Sequence, residues 1–253
     1  MIKKILHWLD DNLIPLWAGF LLAFIPLYPK WPLFDVLYGY NVRVRLEDLF
    51  VAAGIVFYLI WVLRKKIAFQ WRNPIVIGLI GYLVVGLLSV LTSVFVIQTV
   101  PMQYLHVAKT VLHWLRRAEY FSLFFLFVAS VRSMRQVKIY TVLLFVVLAL
   151  VTIYGYGQKY LYWPAFSTMN REFSKGWWLY LSEHGRVLST FGGHYDLAGY
   201  LVITLTLAWS FFFGTEFRKW WAKILIGIVL VGGFWLMILT ASRISFAAYL
   251  FSL

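Results

Sequence analysis

Long apolar stretches recur along the whole of this 253-residue chain, and they constrain its fold more than any other feature. Hydrophobic residues make up 62% of the chain and charged residues 13%, whereas a soluble domain carries about 25% charged residues. These few charges cannot cover the surface of a globule of this size. Much of the apolar surface must therefore face lipid. The composition excludes soluble, disordered, coiled-coil and collagen-like chains. The sequence has no Cys, which excludes disulfides and thiolate metal sites.

Each apolar stretch of roughly 20 residues predicts a membrane-spanning helix. We therefore predict an all-α polytopic membrane protein, with about seven spans and a partial eighth in a single helical domain. Two Asp residues precede the first stretch and no small-x-small cleavage site follows it, so we interpret it as a retained helix. The predicted spans cover residues 13–29, 46–63, 74–97, 112–131, 139–156, 197–213, 224–240 and 244–253. Because the last segment is too short to cross a bilayer, we expect the chain to be part of a longer protein.

The distribution of Lys and Arg predicts a cytoplasmic N-terminus, since basic residues concentrate in short inner loops. With that orientation, inner loops of about ten residues or fewer hold twelve of the 23 basic residues, and longer outer segments hold the other eleven. The net charge of +13 is thus a topology signal, and we predict a membrane lipid environment and no nucleic-acid partner. The twelve inner residues are Lys3, Lys4, Arg64, Lys65, Lys66, Arg72, Arg132, Arg135, Lys138, Arg218, Lys219 and Lys223.

Several outer Arg residues lie at the ends of predicted spans. Arg at a membrane boundary is costly and often marks an anion site, and its planar guanidinium matches phosphate geometry. Arg116, Arg117, Arg186 and Arg243 therefore predict a phosphate- or diphosphate-bearing ligand. The alternative is that each side chain extends to lipid headgroups. For Arg116, the spacing to Glu119 also fits a structural ion pair, and Glu47 and Asp48 with Arg43 and Arg45 suggest another.

The outer loop, residues 158–195, is rich in Trp, Tyr and Phe. Such rings anchor loops at headgroup depth, which is the commoner case, and they also stack on sugars. Gly192 and Gly193 permit a tight turn or a close approach of backbone to ligand. His194 and Asp196 follow at the start of the sixth span. Asp196 fits a helix cap, whereas His194 is either a hydrogen-bonded structural residue or a proton carrier.

Two segments resemble the bacterial O-antigen ligase and O-antigen polymerase superfamily. Arg186 to Leu201 is similar to that family's Arg, Gly-rich turn, Pro-Asn and Ala-x-x-Leu segment, with Tyr195-Asp196 in place of Pro-Asn. Leu239-Thr240-Ala241-Ser242-Arg243 is similar to its Thr-x-Ser-Arg-Gly element, with Ile244 in place of Gly. Leu115 to Tyr120 is a weaker match to Arg-x-x-Glu-Tyr.

The resemblance implies a membrane glycosyltransferase of cell-envelope polysaccharide synthesis, in the bacterial inner membrane with its site on the periplasmic side. Its donor would be an undecaprenyl-diphosphate-linked glycan, its acceptor a lipid or glycan, and it would need no cofactor or metal. Arg186 and Arg243, with Arg116 and Arg117, would bind the diphosphate, and Glu119, Asp196 and Ser242 would support them. His194 is the only catalytic candidate here, since the family's catalytic His lies in a later periplasmic loop.

Two other functions remain open. A transporter or flippase of a lipid-linked anionic glycan would use the same Arg residues, although transporters usually contain inverted repeats and none is visible. A non-catalytic scaffold or inactive fragment would tolerate their loss. The sequence does not distinguish a ligase from a polymerase, and it names neither glycan nor acceptor.

Overall fold

The computed structural model is almost entirely helical and describes residues 2–37, 42–65, 72–170, 172–214 and 220–253. Helices make up 74% of it. The inner basic residues Lys66, Arg218 and Lys219 lie outside these ranges. The elements are α1 (Ile2–Leu27), β1 (Pro32–Asp35), β2 (Arg43–Arg45), α2 (Leu46–Lys65), α3 (Pro74–Leu91), α4 (Tyr104–Ser130), α5 (Met134–Tyr160), α6 (His194–Phe213), α7 (Trp220–Leu239) and α8 (Arg243–Ser252).

In the described part of the chain, five helices are long and apolar enough to cross a membrane. They are α2, α3 with the π-helical turn Thr92–Val96 that continues it, α5, α6 and α7. The apolar part of α1, Asp11–Leu27, is shorter, and Arg116, Arg117 and Glu119 interrupt the apolar run of α4. A membrane-embedded helical protein is therefore confirmed, while the count of about seven spans stays a prediction.

The prediction of an all-α chain missed a small β-ribbon. β1 and β2 pair as a two-stranded sheet between α1 and α2. β2 carries Arg43 and Arg45, and α2 begins at the next residue, Leu46. Strands of three and four residues are too short to show a clear alternation of apolar and polar residues. The pairing of β1 with β2 was therefore not visible in the sequence.

The described chain divides into two compact units, which we treat separately. Unit 1 comprises residues 1–21 and 33–132, and unit 2 comprises residues 22–32 and 133–253. In unit 1, α4 packs on α2 and α3. Two indoles fix helix contacts there by hydrogen bonds to backbone carbonyls, Trp17 Nε1 to Phe50 O at 3.1 Å and Trp114 Nε1 to Leu83 O at 2.9 Å.

In unit 2, α7 packs on α5 and α6, and α6 also packs on α8. Leu148, Leu201, Leu205 and Leu236 are completely buried in the shared core. Lipid is as apolar as this core, so close packing through small residues, rather than burial alone, holds such helices together. Gly233 illustrates this, because a Cβ there would come within 2.7 Å of Leu205 Cδ2.

Candidate functional site

The aromatic loop of unit 2 is a folded cap rather than a free linker. Ala165 and Leu179 exchange two backbone hydrogen bonds, of 2.7 and 3.0 Å, in an antiparallel bridge. α5 extends into the predicted loop as far as Tyr160. Trp177 and Trp178 are 65% and 59% exposed, which fits anchoring at headgroup depth.

Gln158 fastens this cap to the helical core. Its side chain is completely buried at the end of α5. It donates to Ser189 O at 2.8 Å and Pro164 O at 3.2 Å, and it accepts from Ser189 N at 2.8 Å. Ser189 has a left-handed φ of 52°, and its hydroxyl donates to Val151 O at 2.7 Å. Sequence reasoning missed this role, because Gln158 follows a predicted span directly and so resembles the first polar residue of a loop.

The glycine turn begins three residues after Ser189. Thr168 N donates to Gly192 O at 2.7 Å, and Ser167 Oγ donates to the same carbonyl at 3.3 Å. Gly192 is required by this close approach, since a Cβ there would overlap Thr168 Oγ1. The turn delivers the chain directly into the N-terminus of α6 at His194.

Arg186 lies beside that helix start. Its Nη1 is 3.0 Å from Nε2 of His194, which is 7% exposed. A guanidinium can only donate, so Nε2 accepts and His194 is the neutral tautomer protonated at Nδ1. In this arrangement Nε2 orients Arg186 and is not available as a base. The catalytic assignment of His194 stays a prediction.

The turn between α7 and α8 contains the second motif. Ala241 has a left-handed φ of 52°, and Thr240 and Ser242 are buried. Ser242 precedes α8, and its hydroxyl donates to Ser245 Oγ at 2.9 Å. Arg243 is exposed as the first residue of α8.

One backbone hydrogen bond joins the two motifs. Val187 N donates to Leu239 O at 3.1 Å, so the residue after Arg186 is attached to the last residue of α7. The Arg186 segment and the turn leading to Arg243 are therefore neighbours. Both guanidinium-bearing residues are exposed, and within the described ranges neither forms an ion pair with a carboxylate.

The electrostatics of this region favour an anion. Arg243 opens α8 and Arg186 contacts the first residue of α6, and a helix N-terminus carries about half a positive charge. Asp196 is the one acidic residue in the first turn of α6 and is exposed. Its Oδ2 lies toward Gly193, where a Cβ would be 3.4 Å away. We refer to Arg186, Arg243 and the two helix starts as the arginine site.

The charged residues of unit 1 are arranged differently, since they pair with one another. Arg116 Nη2 donates to Asp48 Oδ2 at 2.7 Å. The sequence spacing suggested an ion pair with Glu119, and the structure places that contact at Asp48 instead. Arg45 Nη1 pairs with Glu47 Oε1 at 3.1 Å, which confirms that part of the prediction. Arg117 Nη1 donates to the Tyr82 hydroxyl at 3.2 Å.

A cavity of about 290 Å³ lies beside these pairs. Arg43, Asp48, His113, Arg116 and Glu119 line it. Asp48 also accepts from the backbone N of Arg45 at 2.9 Å and so caps α2. The structure thus brings Arg116 and Glu119 to one cavity in unit 1, and Arg186, His194 and the Arg243 turn to one region of unit 2.

The described residues contain no group of three or more His, Cys, Asp or Glu that could hold a metal ion. No family model matches this sequence, and neither a curated protein nor a solved structure matches it. Any function must therefore be argued from the residues and their geometry.

Proposed function

We propose that this chain binds an undecaprenyl-diphosphate-linked glycan at the arginine site, as part of a membrane glycosyltransferase that resembles the O-antigen ligases and polymerases. The observation that carries the proposal is the Val187–Leu239 hydrogen bond. It makes neighbours of the two segments whose sequences resemble the family motifs, although about fifty residues separate them in the chain. The resemblance rests on the residues, order and spacing of the two segments, and their contact in space adds support to it.

The proposed chemistry needs positive charge at the leaving group. As the bond between the sugar C1 and the diphosphate oxygen breaks, its electron pair stays on the diphosphate. Donors placed where that charge develops lower the barrier. Arg186 and Arg243 have no carboxylate partner among the described residues, so their charge is available to such a group. The hydrogen bond that Arg186 donates to His194 limits the positions that Arg186 can adopt.

We further propose that the site faces the periplasm, because the arrangement of basic loops predicts a cytoplasmic N-terminus. The acceptor is a lipid or glycan on that side. The exposed Trp and Tyr side chains of the cap hold the loop at headgroup depth, near the carrier's diphosphate.

Lipid binding by single-site variants tests the proposal. The full chain is placed in nanodiscs and titrated with undecaprenyl diphosphate and, separately, with undecaprenol. We expect the diphosphate to bind more tightly. Arg186→Ala and Arg243→Ala should each weaken its binding by about tenfold to a hundredfold, as loss of a charge-assisted hydrogen bond does.

The matched control is Arg135→Ala, which removes an exposed Arg from the first turn of α5 and should leave the affinity unchanged. Equal affinity for undecaprenol, or unchanged binding by both arginine-site variants, would overturn the proposal. Movement of a labelled lipid-linked glycan across sealed vesicles, with no transfer to an acceptor, would indicate a transporter instead.

A further inference from the structure

The charged cavity of unit 1 is close to electrically neutral. Its lining contains two carboxylates, Asp48 and Glu119, and two guanidiniums, Arg43 and Arg116, each of which contacts a carboxylate. A phosphate entering here would meet Asp48 and Glu119, both of which line the cavity. Like charges at such distances repel, so this cavity disfavours an anion.

Several polar atoms in the cavity nevertheless lack partners within the described ranges. Arg43 is 11% exposed; its Nε lies 2.5 Å from Asp35 Oδ1 without hydrogen-bond geometry, and its buried Nη1 has no partner. Asp48 Oδ1 is likewise buried without a partner, although Oδ2 is fully engaged. The half-buried Glu119 carboxylate makes no hydrogen bond to another described side chain. Buried polar groups without partners are rare in native proteins, and a bound ligand is one explanation for them.

The unpartnered set contains both a donor and acceptors. Hydroxyl groups satisfy both at once, because each can accept from a guanidinium and donate to a carboxylate. The remaining walls are aliphatic, contributed by Val36, Val42, Val44, Leu112 and Leu115. Ligand pockets usually span about 300–1,000 Å³, so a cavity of about 290 Å³ has room for one small ring.

We propose that this cavity binds a single neutral sugar ring, with its hydroxyls on Arg43, Asp48 and Glu119 and its C–H face on the aliphatic wall. The site deepens the proposed function. It rests on that function in one respect, which is that the sugar is one ring of the donor or acceptor glycan. It differs from the sequence-based prediction that Arg116 and Arg117 bind the diphosphate. Arg116 here holds Asp48 in place.

Methyl glycosides are the probes for this cavity. The full chain in phospholipid nanodiscs, free of sugar-based detergent, is titrated with methyl α-glucoside, methyl α-galactoside and methyl N-acetylglucosaminide by saturation-transfer NMR. At least one should bind, and inorganic phosphate should not displace it. Glu119→Gln, which keeps the side-chain shape, should weaken that binding about tenfold, because an amide NH₂ donor replaces one of the two acceptor oxygens.

A second measurement locates the probe. Carbodiimide coupling of a small amine to carboxylates, read by mass spectrometry, should be slower at Glu119 in the presence of the bound glycoside. The control Glu183→Gln, an exposed carboxylate of unit 2, should leave both results unchanged.

The proposal is overturned if no glycoside binds, if phosphate competes, if Glu119→Gln binds normally, or if Glu119 is not protected. Undecaprenyl diphosphate carries no sugar, so Glu119→Gln should bind it normally. A failure of the sugar site is thereby separated from a failure of the arginine site.

Discussion

The charged cluster of unit 1 and the arginine site of unit 2 use the same residue type in opposite ways. In unit 1, Arg45 and Arg116 each contact a carboxylate, so little net charge is left. In unit 2, Arg186 contacts a neutral imidazole and Arg243 is exposed at a helix start. The comparison indicates that an Arg paired with a carboxylate has little charge left for an anion, whereas an Arg without such a partner still has that charge.

The two regions also differ in what holds them. Side-chain charge pairs attach the β-ribbon and α4 to the start of α2 in unit 1. In unit 2, hydrogen bonds of Gln158 and Ser189 and one from Lys159 to Glu183 O hold the cap, and none of these bonds involves Arg186 or Arg243. Substitutions of charged residues should therefore lower stability in unit 1 and lower ligand affinity in unit 2.

The largest effect on stability is expected for Asp48→Ala. It removes both the α2 cap and the partner of Arg116, whose side chain is 29% exposed. Leaving a mostly buried charge unpaired should cost about 3 kcal/mol. Unfolding of the detergent-solubilised chain in SDS measures this. Asp196→Ala, an exposed Asp in a first helical turn, is the control and should cost under about 1 kcal/mol. Equal losses of unfolding free energy in the two variants would contradict the proposed difference between the two units.

A medium effect is expected for Gln158→Leu. The change introduces an apolar side chain of similar size and leaves the buried Ser189 N–H and C=O without their Gln158 partners. Such a loss should cost about 2 kcal/mol. Limited proteolysis within residues 161–193 should be faster, and the unfolding transition should move in the same direction. Gln103→Leu, at an exposed Gln before α4, should change neither. A stable, protease-resistant Gln158→Leu chain would show that other contacts hold the cap.

The smallest effect on stability is expected for Arg186→Ala. The residue is exposed and its described side-chain hydrogen bond is to His194, so the loss should stay under about 1 kcal/mol. Arg116→Ala is the comparison in unit 1 and should cost more, because it leaves the carboxylate of Asp48 unpaired. The same unfolding assay ranks the two. A reversed order would make Arg186 a structural residue and weaken its assignment to ligand binding.

Individual residues show where sequence reasoning succeeded. Apolar runs located α2, α3, α6 and α7 to within a few residues, because burial in lipid requires a continuous apolar length. The pairing of Arg45 with Glu47 was one of the combinations that the sequence suggested for Arg43, Arg45, Glu47 and Asp48. The Arg116–Asp48 contact was not suggested, because it joins residues 68 positions apart on different helices.

Gln158 and the β-ribbon show where sequence reasoning failed. A single polar residue at a span end reads as the start of a loop, and only the return of residues 164 and 189 to that point gives Gln158 its partners. The pairing of β1 with β2 likewise depends on backbone contacts that three- and four-residue strands do not signal in their sequence.

The sequence by itself determined that this chain is a helical membrane protein and that Arg residues recur at its span ends, because composition and apolar length act locally. The tertiary structure decided which of those Arg residues pair with a carboxylate and which have their charge available to a ligand. That distinction depends on long-range contacts such as Arg116 to Asp48 and Val187 to Leu239. The free energy of a charge is determined by its neighbours in space, and for these residues the neighbours lie on other segments of the chain.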